Sequence, residues 1–167
     1  MLKNIDNIVI VALHLWKSRF GSQAELAEML GISPAGLSRS LARLDFARLI
    51  TRRDLSVINL HAVEYLVHGF RWFFPARIGT RVRGLPTAHS APPLNERISS
   101  QEVIVWPAEF GTVTGLELKP VYHSIPALCV AHPEFYPVFS VLDSLRTGRA
   151  RERELAARYI QEIFHGH

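Results

Sequence analysis

Apolar residues recur at helical spacing at the start of the chain, where Ile5, Ile8, Val9, Ala12, Leu13 and Trp16 share one stripe. Lys3, Lys17 and Arg19 lie outside it or at its ends. The pattern predicts a helix over residues 5–20, capped by Asn4 or Asp6 and stopped by Gly21. Ser22 and Glu25 form a capping-box pair, which opens a short helix through Leu30 with Leu26, Met29 and Leu30 as its apolar positions. Gly31-Ile32-Ser33-Pro34 then compresses a helix end and a helix start into one quartet. Glycine accepts the left-handed backbone that ends one helix, and Ile32 plugs the angle between the two. Ser33 caps the next helix, and Pro34 fits a first turn that needs no N–H. That helix, Pro34 to about Phe46, places Leu37, Leu41 and Leu44 on one face and turns Ala35, Arg39, Ala42 and Arg43 outward. Phe46 also falls on the outward side and is expected to lie against a neighbouring segment or subunit.

Leu49–Ile58 alternates around a polar break at Arg52–Asp54, which predicts a short hairpin or a strand with a turn. Asn59 can cap a further helix, Leu60 to about Phe74, closed by Pro75. From Pro75 to Ser100 the texture changes. Pro75, Pro86, Pro92 and Pro93, with Gly79 and Gly84, leave no helical period, and an extended strap or linker is expected. Gln101–Pro107, with Val103, Ile104, Val105 and Trp106, reads as a short buried strand, and Thr112–Leu118 as its hairpin partner. Helical spacing returns in the tail. A helix near Val121–Val130 begins late or is kinked because of Pro126, another carries Phe135, Val138, Phe139 and Leu142, and a last one runs from Arg149 to about Phe164. Three parts follow: residues 1–74, a Pro/Gly/Arg strap over 75–100, and a small hairpin with C-terminal helices over 101–167.

Charge sharpens this division. Residues 1–83 carry 12 lysines and arginines against 6 acids, and residues 84–167 carry 7 against 9, so a net +6 precedes a net −2 within the overall +4. A basic front suits a polyanionic partner. With 48% hydrophobic residues the chain can bury a core, and no apolar run reaches the length of a membrane helix or resembles a cleavable leader. A cytoplasmic protein without membrane association is expected. The lone Cys129 can form neither an internal disulfide nor a cysteine zinc site, and it reads as a buried hydrophobe.

A helix–turn–helix reads DNA by laying its second helix in the major groove. It needs a small residue where the helices nearly touch (Ala27), a glycine at the turn (Gly31), apolar plugs (Ile32, Leu37) and a polar or basic outer face. Gln23–Leu44 supplies all of these. The run Gln-Ala-Glu-Leu-Ala-Glu-Met-Leu-Gly-Ile-Ser-Pro-Ala-Gly-Leu-Ser-Arg-Ser-Leu-Ala-Arg-Leu, followed by Leu-Ile-Thr-Arg-Arg, resembles the winged helix–turn–helix of bacterial MarR-like regulators over about residues 5–60. The resemblance implies an α+β, mostly helical fold with a winged DNA-binding domain ahead of the strap, hairpin and C-terminal helices. It also implies that Ser33, Ala35, Ser38, Arg39 and Arg43 face double-stranded DNA, while Arg52 and Arg53 begin a basic wing that is here short, since Asp54 follows at once. The expected function is a sequence-specific transcriptional regulator, a repressor acting as a homodimer, because one short recognition helix makes too few contacts alone. The apolar surplus of residues 5–16 and of Leu60–Phe74, with Trp72, Phe73 and Phe74 bunched together, offers dimer surface.

The alternative from a different class is an antitoxin-type protein that binds its own promoter and neutralises a partner enzyme through residues 84–167. Arg71, Arg77, Arg81 and Arg83 form a second basic group that could track phosphates. The histidines are scattered, and His61 and His68 share a helix face without a third ligand, so no metal and no cofactor is expected. No phosphate loop, nucleophile elbow or paired nucleophile and base occurs, and an enzyme is not expected.

Overall fold

Helix α1 (Asn4–Trp16) opens the computed structural model of the chain, which describes residues 1–17 and 19–166. Its backbone begins at Lys3, whose N–H donates to the Asp6 carboxylate at 2.7 Å. Asp6 is thus the acceptor of the first turn, not the cap residue. The helix stops four residues before the predicted end, where Lys17 turns to φ 41°; residue 18, inside the predicted span, lies outside the described residues. Burial departs from a single stripe, because Ile8 to Ala12 are fully buried without a break. The apolar surplus of this segment is therefore spent inside the protein and leaves no dimer surface there.

The described chain is α+β and divides into two units, Met1–Ala62 and Val63–His167. In the first, α1 packs on α3 (Pro34–Phe46), and α2 (Gln23–Leu30) packs on α3 as well. Strands β1 (Ile50–Thr51) and β2 (Ser56–Val57) pair antiparallel, Ile50 with Val57 and Thr51 with Ser56, as the alternation of Leu49–Ile58 predicts. The helix α4 (Asn59–Glu64) starts at Asn59 and contains the unit boundary, which lies twelve residues before the one expected at residue 74.

In the second unit a wide π turn, Tyr65–Gly69, leads into α5 (Phe70–Phe73). The expected strap is replaced by a nine-residue strand, β3 (Ile78–Pro86), followed by two 3-10 turns at Ala88–Ser90 and Leu94–Glu96. Strands β4 (Ile104–Pro107) and β5 (Val113–Leu118) lie close to where they were predicted, but they do not form a hairpin. Each runs antiparallel to β3, so they run parallel to each other, Ile104 beside Leu116. The three strands thereby close on themselves, and glycine makes the closure possible. A Cβ on Gly84 would stand 1.9 Å from the Trp106 carbonyl oxygen, and one on Gly111 would stand 2.3 Å from the Gly84 backbone.

Helices α6 (Ile125–Ala131), α7 (Phe135–Thr147) and α8 (Ala150–His165) complete this unit, α6 starting late with Pro126 in its first turn as expected. The core of the unit centres on α7, with Phe135, Val138, Phe139, Val141 and Leu142 at most 2% exposed. Asp143 is buried among them. Its carboxylate accepts from Thr87 Oγ1 at 2.7 Å, Trp106 Nε1 at 2.6 Å and Arg146 Nη1 at 2.9 Å. Burial pushes its pKa up against the opposing pull of Arg146 and these hydrogen bonds. Arg146 Nε in turn donates to the Phe74 carbonyl at 2.7 Å, so one buried ion pair ties strand, helix and connecting segment together.

Candidate nucleic-acid interface

The junction between α2 and α3 is built as its quartet predicts. Gly31 adopts φ 66° and ψ 31°, the left-handed region, and donates to Glu28 O at 3.1 Å, while Ile32 N–H reaches Ala27 O at 3.0 Å. Ser33 Oγ accepts from Gly36 N–H at 3.0 Å, and Pro34 occupies the first turn. At the other end of α2, Ser22 Oγ accepts from Glu25 N–H at 3.1 Å, but the Glu25 carboxylate reaches Gly21 N–H at 2.7 Å. Ala27 is 1% exposed where the helices approach. Leu37, Leu41 and Leu44 are buried and anchor α3.

The opposite face of α3 is open. Ser33, Ala35, Ser38, Arg39 and Ala42 are exposed, and apart from Arg39 all have short side chains. Such a face lets another backbone approach the helix axis closely, with a single long cation standing out from it. Asp45 shares the exposed end, and Phe46 stands 87% exposed.

Arg43 departs from the expectation. Its Nε and Nη2 each donate to Asp6 at 2.8 Å, a two-point clamp between α3 and α1. Asp6 is 1% exposed and the Arg43 side chain 20%. The hydrogen bonds to Asp6 hold the guanidinium pKa above its ordinary value, although burial opposes them. The clamp fills the Nε–Nη2 edge of the guanidinium, so only its Nη1–Nη2 edge remains for an outside acceptor. Arg43 is therefore a structural tie between α3 and α1, and Arg39 is the arginine of α3 that stands exposed.

Arg52 and Arg53 occupy the turn between β1 and β2, and both are exposed. Asp54 explains why this turn is so short. Its Oδ1 accepts from Thr51 Oγ1 at 2.5 Å, Ser56 Oγ at 2.7 Å and Ser56 N–H at 3.1 Å. These bonds, the one to Thr51 foremost, draw its pKa down to about 2. Asp54 thus braces the loop that carries the arginines, with Leu55 at φ 58°. The sequence reading passed over Arg48, which is exposed at φ 59° between α3 and β1. Its carbonyl accepts from His61 Nδ1 at 2.7 Å, and this bond gives His61 a structural role.

Residues 1–62 carry eight lysines and arginines against five acids. With Arg43 and Asp6 satisfying each other, the exposed balance of this unit stays positive. The second basic group lies in the other unit. Arg77, Arg81 and Arg83 are exposed, Arg81 lies 3.5 Å from Glu102, and Arg71 stacks over the Trp72 ring at 4.5 Å.

Asp143 is sealed from solvent, since the space beside it, among Phe70, Trp106, Ile125 and Phe139, has no room for a water molecule. Burial also pushes up the Cys129 thiol, and raises Tyr136, whose hydroxyl donates to Pro86 O at 2.5 Å, to about 12. Among the described residues no three His, Cys, Asp or Glu side chains are grouped to hold a metal, and no helix is long and apolar enough to cross a membrane. His167 lies outside the described residues. Compared with protein families, curated proteins and solved structures, the chain finds no match.

Proposed function

We propose that residues 1–62 are a winged helix–turn–helix that binds double-stranded DNA with sequence preference, and that the chain is a transcriptional regulator acting as a pair of copies. The carrying observation is the exposed strip Ser33, Ala35, Ser38, Arg39 and Ala42 on a helix anchored from behind by three buried leucines. A major groove about 12 Å wide admits one helix, and short side chains let that helix sit deep enough for Arg39 to reach a guanine edge. Arg52 and Arg53 on the braced turn would meet phosphate, and Arg48 adds a further exposed cation. Phosphate contacts set register and salt dependence, whereas Arg39 carries discrimination.

Selection from a random duplex library with the full chain, followed by salt-titrated binding of the enriched sequence, tests the reading. Arg39→Ala should reduce discrimination by about 1–3 kcal/mol at one position of the site. Arg52→Ala should weaken all sequences alike and lower the salt slope by about 0.9. Failure to enrich any sequence, or an Arg39→Ala protein with wild-type discrimination, would remove α3 as the reading element.

A further inference from the structure

Two large aromatics of the second unit lie on its surface, although the aromatic run they belong to reads as core. Trp72 is 71% exposed and Phe73 63%, while Phe70 and Phe74 on the same stretch are buried. The division follows from the helical period, which sends residues 70 and 74 inward together and leaves 72 and 73 out. Beside Trp72 runs a cleft of about 320 Å³ between the 67–72 stretch and α8, floored by Val67, Leu145 and Ala157 and rimmed by Arg71, Arg153 and Glu154.

We infer that this surface docks a second copy of the chain about a two-fold axis, with Trp72 of each copy entering the cleft of the other. The inference deepens the paired-copy reading above and depends on it. Three observations select this occupant. A projecting aromatic at the edge of a cleft that mixes apolar and charged side chains is complementary to the same patch rotated by a two-fold, which is the requirement of an isologous interface. The rim carries both signs of charge, so a rotated copy can bring Glu154 toward Arg71 or Arg153, whereas a uniformly acidic or basic partner would meet one repulsive group. Residues 63–167 carry 11 lysines and arginines against 10 acids, so two such units approach without net repulsion, unlike the basic first unit. Tryptophan and arginine, both present on this patch, are also the residue types that dominate interface energies.

The test uses the full chain without nucleic acid. Trp16 and Trp106 are 2% and 1% exposed, so quencher-accessible tryptophan emission reports Trp72. Sedimentation should show a concentration-dependent dimer, and this emission should become protected over the same concentration range. Trp72→Ala removes the knob and Ala157→Phe fills the cleft. Each alone should weaken the dimer by about 30-fold or more. Mixed together they should associate again, because the open cleft of one meets the intact tryptophan of the other. A wild-type monomer would sink both the surface and the paired-copy reading. A Trp72→Ala protein as dimeric as wild type, or no recovery on mixing, would overturn the surface alone. Protection of Trp72 by added duplex, without self-association, would assign the patch to nucleic acid and overturn the proposal.

Discussion

Replacing Arg43 by alanine separates two roles that the sequence allows for one side chain. The Asp6 carboxylate is 1% exposed and accepts three N–H donors, two of them from Arg43 at 2.8 Å. Without the guanidinium it keeps, among the described residues, the Lys3 N–H. Stranding one partner of a fully buried ion pair costs about 3–5 kcal/mol. Here the arginine side of the pair is partly open to water, so a destabilisation of about 2–3 kcal/mol is expected, between the buried and exposed limits. Asp6→Asn is the milder change, since it keeps an acceptor for Lys3 and lets the guanidinium turn to solvent, at about 1 kcal/mol. The double variant should cost less than the two singles together, because both remove the same bonds.

Amide exchange along α1 and α3 in the full chain is the appropriate measurement, since two units need not unfold in one step. Duplex binding supplies the second readout. Under conditions where the variant is folded, Arg43→Ala should keep the wild-type salt slope. The opposite pair of results, unchanged protection with a slope lower by about 0.9, would refute the reasoning and return Arg43 to the phosphate-contacting set.

Three further outcomes follow from the local geometry. Asp54 has a depressed folded pKa, so its brace contributes above the unfolded value of 3.8 and is lost as pH falls toward about 2; the Ser56 amide shift should titrate near 2, and a midpoint near 3.8 would break the assignment. Gly31→Ala should lower stability by only about 1 kcal/mol, since the cost is left-handed backbone with nothing within 4 Å of the new Cβ, whereas Gly84→Ala should abolish closure of the three strands and cause a far larger thermal shift. Trp106→Phe should destabilise the second unit by about 1–3 kcal/mol in denaturant titrations through the lost bond to Asp143, and an unchanged midpoint would show that carboxylate satisfied elsewhere.

The α2–α3 junction was legible because each of its signals is local. A hydroxyl cap acts within three residues, a left-handed glycine within one, and proline on its own N–H, so Ser22, Gly31, Ser33 and Pro34 announce their places without reference to the rest of the chain. The Arg43 clamp had no such signal, because its partner lies 37 residues away and the helical period alone leaves Arg43 on the outer flank. Strand β3 was hidden for a related reason. Gly79, Gly84 and Pro86 are strand breakers by propensity, and Gly84 is required only because Trp106 and Gly111 press against it. Two strands joined by a short loop suggest a hairpin, but that reading assumes no third strand between them. Once β3 pairs antiparallel with both, β4 and β5 have no orientation left except parallel. Trp72 was legible as an aromatic and as a candidate contact, but only burial separated it from Phe70 and Phe74.

Engaging one edge of the Arg43 guanidinium inside the protein changes the energetics of the proposed function. Specific duplex binding in the range of about 10⁻⁸ to 10⁻¹¹ M corresponds to about 11–15 kcal/mol. One Arg39 clamp would contribute about 1–3 kcal/mol of base discrimination, and the other exposed residues of the strip, Ser33, Ala35, Ser38 and Ala42, would add contact area without a second clamp. The braced arginines supply salt-sensitive affinity that is blind to sequence. A single copy therefore has the parts to bind DNA weakly and to prefer one base pair strongly. Two copies held together double the clamps and, by tethering, turn the second engagement into an intramolecular one at millimolar effective concentration. On this reasoning the Trp72 surface and the Arg39 strip depend on each other for tight specific binding. Trp72→Ala should then reduce affinity for a two-half-site duplex far more than for a single half-site, although the substituted residue touches no DNA. Equal losses on both duplexes would mean that Trp72 acts within one copy, and the specificity would have to come from cations of the second unit such as Arg77, Arg81 and Arg83.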